Sequence, residues 1–213
     1  MDTNTVVKER ILKQAFELFK KYGIKTISMD DIALNLGMSK KTIYRWFENK
    51  DQLVEEALTT YLNEIKIECT PSNSNAIEEF CLELNNIIKK LLQFHTSFFY
   101  DLKKYHNQAY LIWQSYKQQH IIQHLKANLA QGISAGLYRP DVDADITARL
   151  YTGQLETIFD SELFPAGKFN LQETYRQTLK NFIMGVASAE GHKILDYLCQ
   201  QHCPDNLKYA GDS

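Results

Sequence analysis

Apolar residues recur along most of this chain at three- and four-residue spacing, the period of an amphipathic helix. The first stripe is Ile11, Ala15, Leu18, Phe19 and Tyr22, and Gly23 follows it as a natural helix stop. Ser28 stands where its side chain can cap a short second helix, with Met29, Ile32, Ala33 and Leu36 on one face. Gly37-Met38 interrupts. Ser39 then caps a third helix running through Phe47, with Ile43 and Phe47 turned inward. Asn49 caps a fourth, and Gln52 three residues on gives capping-box spacing. That helix carries Val54, Ala57, Leu58, Tyr61, Leu62 and Ile65.

Thr70 to Asn75 is the clearest loop in the chain. Beyond it the helical period returns with Ile77, Phe80, Leu84, Ile87, Leu91, Phe94 and Phe98, and the pattern predicts one helix over 107–134, with Ile122, Leu125, Leu129 and Ile133 on one side. Gly136 to Asp141 is a break. Asp143 caps a helix reaching Leu163, the segment Phe164-Pro165-Ala166-Gly167 separates, and a last helix spans Leu171 to Glu190. No window alternates at period two, so the fold class is all-α. The plan is an N-terminal three-helix unit over 1–50, a linking helix over 51–69 and a larger helical body over 70–213.

Composition narrows the class. With 44% hydrophobic and 23% charged residues the chain is globular, and 9 Gly with 4 Pro in 213 residues leave too few turn formers for an all-β fold. The longest apolar run, Ala109 to Trp113, is far too short to span a bilayer. Met1-Asp2-Thr3-Asn4 leads into charged sequence, so no signal peptide is expected. Four Cys without zinc-like spacing fit reduced thiols in a cytoplasm.

The charge is unevenly placed. Residues 1–50 hold ten Lys/Arg against six Asp/Glu, while the rest of the chain is net acidic. A basic first quarter suits a polyanionic partner. Two short helices joined at Gly37-Met38 in that quarter suggest a helix-turn-helix. The third helix packs through Ile43 and Phe47 and turns Lys40, Lys41, Thr42, Tyr44 and Arg45 toward a major groove; Ser39 leaves backbone N–H groups that favour phosphate.

The run Gly23-Ile-Lys-Thr-Ile-Ser-Met-Asp-Asp-Ile-Ala33, then Gly37-Met-Ser-Lys-Lys-Thr-Ile-Tyr-Arg-Trp-Phe47, then Asn49-Lys-Asp-Gln-Leu53 resembles the N-terminal domain of TetR-family transcriptional regulators, without a gap from Lys8 to Leu58. The resemblance implies that Ser28 caps the second helix and meets phosphate. It implies that Tyr44 contacts the DNA backbone and that Lys50 contacts phosphate. Lys40, Lys41, Thr42 and Arg45 fall where contacts vary among members, and Thr26 and Ser39 complete the candidate DNA-binding set. Two departures stand out: Lys41 replaces a common Gly or Pro, so no operator can be borrowed, and Leu36 replaces a common Ala. The remaining chain resembles the family in length and helical plan.

Other constellations carry less. Gly132-Ile-Ser134-Ala-Gly136 matches the G-x-S-x-G spacing of esterase elbows, but such an elbow needs a preceding strand, and here an amphipathic helix precedes it. A helix C-terminus is the better reading, and the stretch resembles the Gly-x-x-Arg segment after the long ligand-domain helix of the family; no catalytic residue is assigned. His120 and His124 lie four apart, without the Glu of a zincin, and read as solvated or pocket-lining. Cys199, His202 and Cys203 cannot close a metal site alone, and Cys69 and Cys81 suggest nothing more. No metal or cofactor is expected.

Aromatics crowd the body. Phe94, Phe98, Tyr110, Trp113 and Tyr116, with Tyr151 and Phe159, are candidate walls of an apolar cavity, and Gln114, His120 and Gln154 its polar hooks. Tyr175, Leu179, Phe182, Ile183 and Val186 suggest a homodimer interface on the last helices. The combined expectation is a DNA-binding regulator, a repressor released from a palindromic operator by a small apolar or aromatic ligand. The alternative is a ligand-binding or scaffold protein whose helix-turn-helix does not function.

Overall fold

A computed structural model describes residues 3–65, 74–91, 93–165 and 167–202. The regular structure in those residues is helical, with an isolated bridge pair between Tyr138 and Ala187. The chain divides into two compact units. One holds residues 1–68 and 93–119, the other 69–92 and 120–213.

The first unit contains α1 (Thr3–Tyr22), α2 (Met29–Leu36), α3 (Lys40–Tyr44), α4 (Lys50–Glu64), α6 (Phe98–Tyr105) and α7 (Asn107–Tyr116). Its core is continuous from Ile11, Ala15 and Phe19 on α1, through Ile32, Ile43 and Phe47, to Leu53, Ala57 and Leu62 on α4 and to Phe98, Leu102 and Ala109. Tyr22, expected on the inner stripe of α1, is 44% exposed. It lies in the last turn, where the stripe has rotated off the core. Lys20 is buried because its stem packs inward, while its ammonium reaches Glu17 at 2.6 Å and Gln93 at 3.3 Å.

The second unit contains α5 (Ala76–Leu91), α8 (Ile122–Ser134), α9 (Ala144–Thr157), α10 (Leu171–Val186) and α11 (Ala189–His202). Ile77, Phe80, Leu125, Leu129, Tyr151, Tyr175 and Ile183 form its core. Tyr138 is nearly fully buried and donates to Ala76 O and Asn128 Oδ1; Gly132 has no Cβ because the Tyr138 ring occupies that space.

Several helices are shorter than the hydrophobic period suggests. The single helix expected over 107–134 is divided by a π-turn at Lys117–Ile121. The stripe from Ile77 to Phe98 breaks before Ser97, and Phe98 opens a new helix. The helix expected to reach Leu163 ends at Thr157, and the last predicted helix divides at Ala187, whose backbone is extended. Asp143 caps α9 as expected, accepting from Ile146 N at 2.9 Å. Cys69, residues 70–73, Ala166 and Cys203 lie outside the described residues, as do the side chains of Leu84, Ile87, Leu91, Cys199 and His202.

Gly132 to Gly136 is the end of α8 and the turn after it, with Gly136 at φ +70. No strand leads into Ser134, so the nucleophile-elbow geometry is not formed. Among the described residues no group of three or more His, Cys, Asp or Glu is placed to hold a metal ion, and no helix is long and apolar enough to cross a membrane.

Candidate nucleic-acid interface

The site begins with three polar caps and one glycine. Ser28 Oγ accepts from Asp31 N at 3.2 Å, and Asp31 Oδ2 accepts from Ser28 N at 2.8 Å, a complete capping box. The same carboxylate accepts from Ser28 Oγ, and these hydrogen bonds hold Asp31 below the ordinary carboxylate range. Gly37 closes α2 at φ +64, with Gly37 N on Leu34 O at 3.1 Å and Met38 N on Ala33 O at 2.9 Å, the paired bonds of a Schellman motif. Any other residue there is strained by its own Cβ.

Ser39 caps α3, accepting from Thr42 N at 3.1 Å. The helix is shorter than expected: it ends at Tyr44, and Trp46 N bonds to Ile43 O three residues back, a tightened 3₁₀-like exit. Ile43 and Phe47 have no exposed surface. They fix α3 against the core, so the opposite face carries Lys40, Lys41, Tyr44 and Arg45 into solvent. Lys40 is paired with Asp30 at 2.7 Å, and this carboxylate raises its affinity for the proton. An exposed pair of this kind adds little to stability and is easily exchanged for a phosphate. Thr26, Ser28 and Ser39 are exposed on the approach to the same helices, with Thr42 half-buried.

Lys50, expected to contact phosphate, has a partner within the chain. It is half-buried at the start of α4; its ammonium donates to Ile24 O at 2.6 Å and lies 5.9 Å from the Phe19 ring. Burial lowers its pKa, opposed by Asp101, Asp51 and Asp31 nearby. It ties the start of α4 to the turn before α2. Asn49 caps α4 as expected, but Gln52 reaches back to Glu48 N at 2.7 Å rather than to the cap residue.

Contacts that the sequence did not signal come from α6. Asp101 accepts from Lys25 N at 2.9 Å and from Ser97 Oγ at 3.2 Å, and His106 Nδ1 lies 2.6 Å from Asp51 Oδ1. The only trace in the sequence is the four-residue spacing of Ser97, Asp101 and Tyr105.

The expected ligand-binding residues fall into two groups. In the first unit Phe94 packs edge-on to Phe98 at 4.9 Å and Phe99 against Trp113 at 5.2 Å; Trp113 stacks with Tyr116, whose hydroxyl donates to Ile65 O at 2.8 Å. Phe16 of α1 and Tyr61 of α4 stack at 4.0 Å beside them, and burial pushes the Tyr61 phenol up to about 12. Tyr110 and Gln114 are half-buried. His120, Tyr151, Gln154 and Phe159 belong to the second unit. There Tyr151 is buried against Phe182 at 4.1 Å, its hydroxyl near Tyr175 but without a well-formed hydrogen bond, while His120 and Gln154 are exposed.

The residues expected at a dimer interface lie elsewhere too. Tyr175, Leu179, Ile183 and Val186 are buried in the core of their own unit, with Phe182 packed against it. Their apolar surface is already covered within one chain. The exposed positions include Ile146, Leu150 and Gly153 on α9 and Gln177, Asn181 and Gly185 on α10.

Residues 11–57 match the family model described as bacterial regulatory proteins, tetR family. The chain is 27% identical over 187 residues to the HTH-type transcriptional regulator YvaF of Bacillus subtilis, covering 85% of this chain and 96% of that one. It is 21% identical over 202 residues to the HTH-type transcriptional repressor KstR2 of Mycolicibacterium smegmatis, covering 87% and 93%. Its fold is similar to that of a protein described as a transcriptional regulator from Saccharomonospora viridis, solved in complex with choline, with a TM-score of 0.68 at 19% identity over 86% of this chain and 99% of that one.

Proposed function

We propose, for a chain that belongs through its N-terminal domain to the TetR family of DNA-binding transcriptional regulators, that it is a cytoplasmic repressor. It binds a palindromic operator as a homodimer and is released by a small apolar ligand. The observation that carries this reading is the face of α3. Lys40, Lys41 and Tyr44 on this helix and Arg45 at its end are exposed, while Ile43 on its other side and Phe47 just beyond it are wholly buried. Such a helix presents donors to base edges and phosphates at a fixed angle. Blocking polymerase is the simplest consequence of occupying a promoter, and KstR2, a repressor, is similar over most of the chain.

Dimerisation is assigned to the outward face of α9 and α10. Ile146 is 57% and Leu150 65% exposed, and Gly153 and Gly185 leave room for close helix approach. Two such helices from each protomer form a four-helix bundle and place two α3 helices on successive half-sites.

Ligand entry is assigned to the aromatic cluster of the first unit, among Phe94, Phe98, Trp113 and Tyr116, with Tyr110 and Gln114 beside it. That cluster touches α4 through Tyr61, and α4 begins at Lys50 on the DNA-proximal turn. A ligand that separates Tyr61 from Phe94 therefore moves the start of α4. Release from the operator requires a preference of several kcal/mol for the displaced state. The test is transcription in vitro from a promoter carrying the selected operator, with aromatic and quaternary-ammonium compounds added in turn. Repression by the protein, relieved by a compound that also raises its melting temperature, supports the reading. Stimulation of transcription, or relief unaffected by Trp113→Ala, contradicts it.

A further inference from the structure

The turn that joins α1 to α2 is held from outside the helix-turn-helix. Ser97, Asp101 and Tyr105 lie four residues apart, so they share one face at the start and along α6. All three meet the turn. Asp101 is only 3% exposed; its Oδ2 accepts from the backbone N–H of Lys25 at 2.9 Å and from Ser97 Oγ at 3.2 Å. Lys25 Nζ donates to Tyr105 Oη at 3.3 Å and lies 5.0 Å from the Tyr105 ring. Gly23, at φ +84, comes so close that a Cβ there would lie 2.6 Å from Ser97 Oγ. Lys50 grips the same turn from α4 through Ile24 O.

Residues 23–27 lead directly into Ser28, the cap of α2, and α2 carries α3 through the Gly37 turn. A displacement of this turn therefore moves the DNA-reading helix. A buried carboxylate is costly unless its lone pairs are satisfied, so Asp101 and the Lys25 N–H specify one position of the turn rather than a range.

We propose that Asp101 is a positioning residue for operator recognition: from α6, outside the segment that matches the family model, it holds the 23–27 turn so that α3 meets the bases in one register. The proposal rests on α3 being the operator-reading helix. The bond to the Lys25 N–H requires an acceptor at this position; the negative charge, which also favours the ammonium of nearby Lys50, is not needed for that bond. Asparagine keeps the acceptor; alanine removes it.

The experiment compares wild type, Asp101→Asn, Asp101→Ala and Ser97→Ala on a selected operator duplex and on a scrambled duplex of the same length, at one ionic strength. Amide exchange at Lys25 is read in parallel. Asp101→Ala loses about tenfold or more in operator affinity, since a positioning hydrogen bond is lost in each reading head. Its affinity for scrambled DNA stays level, because the substitution removes no cation that meets phosphate. Asp101→Asn stays within about threefold of wild type, and Ser97→Ala, which leaves the Lys25 bond in place, falls between. Lys25 exchange accelerates in Asp101→Ala and not in Asp101→Asn, with the core amides of α1 still protected. Equal losses on both duplexes, equal losses for asparagine and alanine, or unchanged operator affinity in Asp101→Ala overturn the proposal. If Asp101→Ala does not fold, Ser97→Ala and Asp101→Asn decide: a Ser97→Ala protein with wild-type operator affinity, or an asparagine variant that folds and does not discriminate, overturns it. A wild type that selects no operator fails the DNA-reading premise instead. The Lys25 exchange pattern then tests the clasp by itself, and unchanged exchange in Asp101→Ala refutes it.

Discussion

Gly23→Ala adds a methyl group where the backbone and the neighbouring side chains both resist one. Gly23 has φ +84, in the left-handed region, where an L-residue costs about 1–2 kcal/mol. The added Cβ would lie 2.6 Å from Ser97 Oγ and 3.3 Å from both Asp101 Oδ2 and His95 Nδ1. Ser97 Oγ must then withdraw and weaken its 3.2 Å bond to Asp101, a loss of about 0.5–1.5 kcal/mol. The stiffer unfolded chain returns about 0.4–1 kcal/mol. The net destabilisation is roughly 2 kcal/mol. Both tryptophans, Trp46 and Trp113, belong to the first unit, so intrinsic fluorescence during urea unfolding follows that unit. Adding Ser97→Ala removes the hydroxyl that the methyl meets, and the pair should couple by about 1 kcal/mol. A Gly23→Ala protein within about 0.5 kcal/mol of wild type, or one whose cost is the same with and without Ser97, refutes the reasoning.

Phe47→Ala empties a fully buried ring site and should cost about 3–5 kcal/mol in the same fluorescence assay, with operator binding weakened because only Ile43 then anchors α3. Lys41→Ala leaves stability unchanged. In a titration across salt concentrations it flattens the slope by about one unit per protomer if Lys41 meets phosphate, whereas selection from random duplexes shows relaxed preference at one base pair if it meets a base. Leu150→Asp should sediment as a monomer with an unchanged helical circular dichroism spectrum, whereas Val186→Asp, 6% exposed, should unfold the second unit.

The first four helices were legible because local chemistry sets their ends. Ser28, Ser39 and Asn49 each cap the helix expected of them, and Gly37 takes the left-handed conformation that ends α2. These signals act within four residues and depend little on the rest of the fold. What the structure adds is long-range. The Lys50 position was readable but not its partner, because a lysine at a helix start looks the same whether it faces phosphate or Ile24 O, 26 residues away. The π-turn at Lys117–Ile121 and the break at Ala187 interrupt stripes that continue through them in sequence. Tyr175, Leu179, Ile183 and Val186 show the same limit from the other side. A helical stripe records that a face is covered, not whether its own core or a second copy covers it. The aromatics from Phe94 to Tyr116 and those at Tyr151 and Phe159 read as one set, yet they belong to different compact units.

The most direct test of the account is selection of bound sequences from random duplexes, followed by affinity of the selected duplex as salt is raised. The expected result is an enriched palindrome whose half-sites lie about one helical turn, or a multiple, apart. Lys40, Lys41 and Arg45 from two protomers give about six cationic contacts, so the operator slope of log K against log salt should be near −5, with affinity falling about a thousandfold between 50 and 200 mM. Binding that enriches no palindrome, with the same affinity and slope on selected and random duplexes, contradicts it.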